Sequence, residues 1–290
     1  MVAAMKRSRI FVHGLKAHAD EMWACGLLIA SKPEIEFTEI VRDAKRVGEA
    51  GANDFVLDCG MKFDGSRFFD HHQFKNSGKS ECTFSLVAET FAPWVLADER
   101  FASLIGRVRV QDNSGIIVTE QQFGKSSPWI VSEFVLINLF EVKPLEVANI
   151  IAFGFRRRLS EIEETERAKT WLESNSHIEI IEGKVRALVC EASPFKAGFS
   201  IQAYNSASRH VINKERIEVS YGWNGDGSDI RTLYKTGFGK MINFTKAAPE
   251  RLVFCHSGGF LLVFDPADEA EYRKLVLQAC YLNKKMEKSA

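Results

Sequence analysis

Asp70-His71-His72 places one carboxylate and two imidazoles side by side, directly after the aromatic pair Phe68-Phe69. Side chains of these types are the usual protein donors for Mn²⁺, Zn²⁺ and Fe²⁺. Crowding and loss of water disfavour three such groups in one place unless a bound cation offsets the cost. The run is therefore a candidate part of a metal site.

Three further clusters of the same residue types lie in the first half of the chain. They are His13…His18-Ala19-Asp20, Asp58 and Asp112-Asn113. We expect each of them to follow a strand. Asp112-Asn113-Ser114-Gly115 is also a typical turn sequence, and Asp58 alone could cap a strand end. Only the four clusters together predict a metal centre.

Apolar periodicity predicts the elements that would position these residues. The predicted strands are 10–12, 34–41, 55–57 and 66–70, and the predicted helices are 19–30, 81–96, 101–110, 132–139 and 144–174, with a loop-rich stretch from 115 to 128. Alternating strands and helices favour a parallel sheet with flanking helices, and ligands collect at the carboxyl ends of such strands. His13, Asp58 and Asp70 all occupy strand ends in this interpretation.

The second half of the chain has a different pattern. Strand-like segments occur at 178–181, 185–189, 216–220 and 252–254, and a final helix is predicted from Asp268 to about Lys284. The predicted fold class is α/β, with a parallel-sheet domain and flanking helices plus a smaller α+β C-terminal domain. We expect a metal-binding catalytic domain at 1–140, a helical linker at 141–175 and a substrate-binding domain at 176–290.

A two-metal hydrolase needs a bridging carboxylate, terminal ligands for each cation and a contact for the phosphoryl oxygens. Asp58 could bridge, His71 could bind the second metal, and Asp112 could complete the set. Asp70 and His72 remain: one could contact phosphate and the other could orient an imidazole. A loop that contains Lys75 and Lys79 could add a positive charge beside the phosphate.

Composition limits the classes of function. The 290 residues are 46% apolar and have a formal net charge of zero. Zero charge argues against a protein that coats long duplexes, but it leaves short or single-stranded nucleic acid open. Six widely spaced cysteines without a C-x-x-C pair indicate reduced thiols and a cytoplasmic location. The sequence contains no candidate membrane span and no recognisable signal peptide, and it leaves the oligomeric state open.

Several motifs resemble the DHH phosphoesterase superfamily, and in particular its melanocyte-proliferating-gene (Myg-type) branch. The matching segments are Val12-His13-Gly14-Leu15-Lys16-Ala17-His18-Ala19-Asp20-Glu21, Leu57-Asp58-Cys59-Gly60-Met61-Lys62-Phe63-Asp64, Arg67 to Gln73, Asp112-Asn113-Ser114-Gly115, and Phe254-Cys255-His256-Ser257-Gly258-Gly259-Phe260. The first segment departs from the branch pattern at Gly14, which falls one place early, and at Ala17, which replaces a phenylalanine. The spacing of the glycines after His256 also differs.

The resemblance implies a 3′→5′ exonuclease that uses two divalent metals, Mn²⁺ in type, on single-stranded RNA or short oligonucleotides. It implies the metal ligands His13, His18, Asp20, Asp58, His71 and Asp112. His72 would touch the scissile phosphate, with Asp70 beside it in the catalytic group. His256, Ser257, Gly258 and Gly259 would cradle a substrate phosphate through backbone N–H groups, although this segment could also be only a tight turn.

Two other functions remain open from the sequence. The first is hydrolysis of a small phosphorylated molecule, such as pyrophosphate, a nucleotide 3′-phosphate or a cyclic dinucleotide, which zero net charge slightly favours. The second is a non-catalytic nucleotide-binding relative, against which the intact set of candidate ligands argues.

Overall fold

The computed structural model describes residues 5–74, 80–124, 128–183, 185–223, 230–247, 249–268 and 270–280. The chain divides into two compact units, one ending at Arg158 and the other beginning at Leu159. The functional boundaries expected at 140 and 176 stay a prediction. Lys75 and Lys79, and the end of the last predicted helix, lie outside the described residues.

The first unit is built on a four-stranded parallel sheet. Its strands are β1 (Lys6–Val12), β2 (Ile35–Arg42), β3 (Phe55–Leu57) and β4 (Phe68–Phe69), in the order β2-β1-β3-β4. Every neighbouring pair is parallel. The apolar runs 10–12 and 55–57 are buried throughout, as expected for parallel strands that are covered on both faces.

Helices complete this unit. They are α1 (Ala19–Ser31), α2 (Thr83–Phe91), α3 (Trp94–Ala97), α4 (Glu99–Phe123), α5 (Pro128–Val142) and the start of α6 (Pro144–Asn175). Their apolar faces form one core with the sheet, which includes Met22, Phe84 and Phe155. None of the helices among the described residues is long and apolar enough to cross a membrane.

Two predicted boundaries in this unit are wrong. The helix expected at 81–96 is two helices, because the residue before Pro93 avoids the helical region: Ala92 has φ −145° and ψ 57°. The loop expected at 115–128 is helical as far as Phe123, with one kink at Gly115, where φ is 81°. Asp112 therefore lies on a helix and does not follow a strand or occupy a turn.

The second unit contains a six-stranded mixed sheet. Its strands are β5 (Ser176–Ile181), β6 (Val185–Cys190), β7 (Val219–Trp223), β8 (Arg231–Lys235), β9 (Leu252–Cys255) and β10 (Leu261–Phe264), in the order β5-β6-β7-β8-β10-β9. Strands β6 and β7 pair in parallel, and the other neighbouring pairs are antiparallel. Helices α7 (Ile201–Glu215) and α8 (Glu271–Ala279) complete the α+β unit, which confirms the predicted fold class. The sequence analysis missed α7, β8 and β10.

Candidate metal centre

The candidate metal ligands of the first unit meet at the carboxyl edge of its sheet. His13 follows β1, Asp58 follows β3 and Asp70 follows β4, as the sequence predicted. Asp112 reaches the same place from α4, and its Oδ2 lies 3.0 Å from His71 Nε2. Four separated segments of the chain therefore contribute to one cluster.

Asp58 lies at the middle of this cluster. Its Oδ2 is 3.3 Å from His13 Nε2, while its Oδ1 is 3.3 Å from His71 Nε2. Burial opposes ionisation, but these two imidazoles hold the pKa of the carboxyl well below its usual range. The Thr83 hydroxyl, which sequence analysis did not single out, donates to Oδ1. Each carboxylate oxygen thus faces a different histidine.

Three sets of side chains bring potential ligand atoms within 4.8 Å of one another. The sets are His13, His18 and Asp58; Asp58, His71 and His72; and Asp20, His71 and Asp112. The first and third sets contain all six predicted ligands. A cavity of about 250 Å³ lies at this cluster. It is lined by all the predicted ligands except Asp20, and by Leu15 and His72.

Unpartnered buried atoms test whether the cluster suits a cation. His71 Nε2 and Asp112 Oδ2 are both buried, and neither makes a hydrogen bond of acceptable geometry with any described residue. Buried polar atoms without partners are unfavourable, and a cation between the two atoms would satisfy both. The mixed imidazole and carboxylate donors also suit Mn²⁺ or Zn²⁺. The residues present therefore fit a divalent metal.

Asp20 is buried beneath the cluster. Its Oδ1 accepts from the Phe84 N–H at 2.7 Å and its Oδ2 from the Thr83 N–H at 2.8 Å, so it caps the N-terminus of α2. Burial and the charges of Asp58 and Asp112 raise the pKa of Asp20 to about 7. A carboxylate offers about four lone-pair sites. Asp20 can therefore hold α2 and still contribute to a metal site.

His72 is held differently from its neighbour His71. Its Nδ1 lies 2.6 Å from Asp70 Oδ1, and its backbone N–H donates to the same oxygen. The other oxygen of Asp70 accepts from the Met61 N–H. Asp70 is buried, whereas the His72 side chain is 35% exposed. This fixes the ring orientation of His72 through Nδ1 and leaves Nε2 outside these contacts.

Glu21 is the site residue that sequence reasoning left without a role. It is fully buried, and its Oε2 lies 2.5 Å from His13 Nε2. Burial of the His13 ring favours the neutral form, but Asp58 and Glu21 beside it raise the pKa of His13 to about 10. The available signal was local: Glu21 is three residues after the helix N-cap His18, the spacing of a capping box.

A buried ion pair joins α4, the helix that carries Asp112, to α5. Arg107 donates to both carboxylate oxygens of Glu133 on α5, at 2.8 and 2.6 Å. Trp23 Nε1 donates to Glu133 at 2.8 Å, and both charged side chains are 5% exposed. Sequence analysis missed this contact, because the partners are 26 residues apart in segments with different periodicity.

The predicted phosphate cradle lies in the second unit, in the turn between β9 and β10. The Gly258 N–H donates to His256 Nδ1 at 3.0 Å, and the Gly259 N–H donates to the His256 carbonyl at 2.7 Å. Gly259 has φ +66°, and a Cβ there would collide with the Asn243 side chain. The tight turn left open by the sequence is therefore present. Phosphate binding by residues 256–259 stays a prediction, since it would compete with these internal bonds.

Part of the first unit matches a known protein family. Residues 9–92 match the model of the family MYG1_exonuc, described as an uncharacterised protein family, UPF0160. This match confirms the resemblance found in the sequence over a segment that includes every predicted metal ligand except Asp112. No protein among those with curated functions matches the chain.

Two solved structures are similar over most of the chain. A protein with a DHH domain, described as a member of a family of ribosomal proteins, is 14% identical, covers 94% of this chain and 85% of its own, and has a TM-score of 0.33. RecJ from Thermus thermophilus, in complex with Mn²⁺, is 11% identical with a TM-score of 0.30. The alignment covers 95% of this chain and 51% of the RecJ chain. At such scores neither likeness supports an assignment of residues.

Proposed function

We propose that this chain is a metal-dependent phosphodiester hydrolase that uses two divalent cations. The observation that carries the proposal is the position of Asp58, whose two carboxylate oxygens each face a different histidine at 3.3 Å. That arrangement suits a bridging ligand between two cations. The family match over residues 9–92 supports the same class of enzyme.

The proposed ligands divide into two sets that share Asp58. His13 and His18 would hold the first cation together with Asp58, and Asp20, His71 and Asp112 would hold the second. Mn²⁺ is the proposed metal, because the motif resemblance implies it and the mixed imidazole and carboxylate donors are compatible with it. When bound, such cations lower the pKa of a water molecule and neutralise charge on the phosphoryl oxygens.

His72 is the proposed contact to the scissile phosphate. Asp70 accepts from Nδ1 and fixes the ring, so that the protonated ring can donate from Nε2 to a phosphoryl oxygen or to the leaving group. Asp70 acts through His72 and is a positioning residue. Neither residue needs to bind a cation for this role.

Single-stranded RNA or a short oligonucleotide, degraded from its 3′ end, is the proposed substrate. Support comes from the motif resemblance, and the zero net charge leaves short or single-stranded nucleic acid open. A small phosphorylated molecule is the second candidate, favoured by the size of the cavity at the metal centre, about 250 Å³. We assign catalysis to residues 1–140 and substrate binding to 176–290, joined by the helical segment 141–175.

The cytoplasm is the proposed location, because all six cysteines are free thiols and four of them are buried. Reducing conditions keep such thiols intact.

The proposal is tested by Mn²⁺-dependent hydrolysis of RNA labelled at its 3′ or its 5′ end. Wild type is expected to shorten the RNA stepwise from the 3′ end, and His71→Ala and Asp58→Ala are expected to lose that activity while remaining folded. His177→Ala is the matched control, because His177 is an exposed histidine paired with Glu191. Full activity of Asp58→Ala would overturn the bridging role. Hydrolysis of pyrophosphate but not of RNA would favour the second candidate.

A further inference from the structure

A second, larger cavity adjoins the metal centre within the first unit. Its volume is about 440 Å³, within the range of about 300–1,000 Å³ that small-molecule sites occupy. It shares His18 and Asp112 with the smaller cavity, and Asp20 also lines it. A ligand with a phosphate at the metal centre can therefore extend directly into this space.

The walls away from the metal centre are mostly apolar. Val108 and Ile116 line the cavity from α4, and Phe134 and Ile137 line it from α5. Phe134 is 66% exposed, so its ring has a free face. Lys16 also lines the cavity. The apolar wall with its exposed aromatic ring suits a flat group that stacks.

Two amides add polarity at defined places. Gln111 accepts from the Arg107 guanidinium through Oε1 at 3.2 Å, which leaves its NH₂ group to donate. Asn138 donates its Nδ2 to the Phe134 carbonyl at 2.7 Å, which leaves Oδ1 to accept. One donor and one acceptor beside an apolar wall match the polar edge of a nucleobase.

We propose that this cavity binds the base of the nucleotide whose phosphate lies at the metal centre, with Phe134 as the stacking residue. The proposal rests on the proposed function and names its substrate as a nucleotide. Stacking on aromatic side chains tolerates every base, because each base has a π-face. The cavity would therefore select nucleotides over other phosphorylated compounds without selecting a sequence.

The test compares two ligands of the Mn²⁺-loaded protein by calorimetry: adenosine 5′-monophosphate and ribose 5-phosphate. They share the phosphate and the sugar and differ by the base. A stacked base contributes about 1–3 kcal/mol, so wild type should bind the nucleotide about 5- to 140-fold more tightly. Phe134→Ala should reduce this ratio to near one, and Phe134→Tyr should preserve it because the ring remains.

Phe153→Ala is the matched control. Phe153 is an exposed phenylalanine on α6, 67% exposed, that does not line the cavity, so its removal should leave the ratio unchanged. Equal affinity of wild type for both ligands would overturn the base site while leaving the phosphoesterase proposal intact, as would an unchanged ratio in Phe134→Ala. Failure of the metal-loaded protein to bind either ligand would overturn both proposals.

Discussion

Protons held in the metal-free centre determine how strongly its cation affinity depends on pH. Burial favours neutral rings, but neighbouring carboxylates raise the pKa of His13 to about 10 and that of His71 to about 9. Both rings therefore carry a proton at pH 7. Because an imidazole binds a cation only in its neutral form, cation binding at pH 7 must release about two protons from the rings. Asp20, whose burial raises its pKa to about 7, adds about half a proton.

The magnitude follows from linkage. Each proton released changes an apparent Kd about tenfold per pH unit. Because His13 and His71 belong to different proposed cation sites, the affinity for each Mn²⁺ should rise about tenfold per unit between about pH 6 and pH 8, and the product of the two affinities about 100-fold. The rise should level off once the pH exceeds the raised pKa values of the two histidines. The assay is calorimetric titration of Mn²⁺ at pH 7 in Tris and in Hepes, because the difference in observed enthalpy gives the number of protons transferred to the buffer.

Glu21→Gln isolates one contribution. The change removes the carboxylate that lies 2.5 Å from His13 Nε2, so proton release should fall by as much as one proton. Glu191→Gln removes the partner of the exposed His177 at 2.7 Å and should change nothing. Release of less than one proton by wild type would refute the protonated state of the metal-free centre. The same release in Glu21→Gln as in wild type would refute the role of Glu21.

Three other perturbations have defined outcomes. Glu133→Leu leaves Arg107 buried without its partner and should lower the free energy of unfolding by about 3–5 kcal/mol in urea denaturation. The double variant Arg107→Leu with Glu133→Leu should recover most of that loss, because no buried charge remains unpaired. Asp70→Asn should reduce kcat about 10- to 100-fold with unchanged metal content by mass spectrometry, because the orientation of His72 is lost. Hydrogen bonds from Arg9 overcome the effect of burial and lower the pKa of Asp54, so its contribution to stability is present above about pH 4 and lost as the pH falls through the lowered pKa. Asp54→Asn should therefore destabilise the protein more at pH 7 than at pH 3 in the same denaturation assay.

The parallel sheet was predictable because its strands are short, apolar and buried on both faces. Runs such as 10–12 and 55–57 are typical of strands in a parallel sheet that is covered on both faces. Helix α7 was not predictable in the same way. Its buried residues are Ala203, Tyr204, Ala207 and Ser208, and three of these four are small. A stripe of small residues gives a weak apolar signal even where packing makes the helix stable.

Asp112 shows how tertiary packing overrides local preference. Asp112-Asn113-Ser114-Gly115 has the composition of a turn, yet the segment is helical. Leu104 and Val108 are buried, and Asp112 continues that face at a spacing of four residues. The helix therefore directs the carboxylate inward to His71. The order of the motifs along the chain identified Asp112 as a candidate ligand. It did not indicate that a helix carries Asp112.

Contacts between distant segments could not be predicted from the sequence. The Arg107–Glu133 pair and the Thr83 hydroxyl on Asp58 join residues whose neighbours give no hint of the partner. Glu21 differs, because it lies within the motif that was recognised. Its burial could not be read from the sequence, since a glutamate in the first turn of a helix is normally explained by capping and the helix dipole alone.

The backbone at Asp58 shows what the metal centre costs the fold. Its φ of 52° is left-handed, a conformation that costs a residue other than glycine about 1–3 kcal/mol. Glycine would remove that cost, and the chain does use glycine two residues later, at Gly60. A glycine at position 58 would also remove the carboxylate that faces both His13 and His71. The strain is held by the ladder bond from the Asp58 N–H to Phe69 and by the Thr83 hydroxyl. Packing alone would favour glycine at position 58. An aspartate that keeps a strained backbone there, with its carboxylate between two histidines, is therefore expected of a functional site.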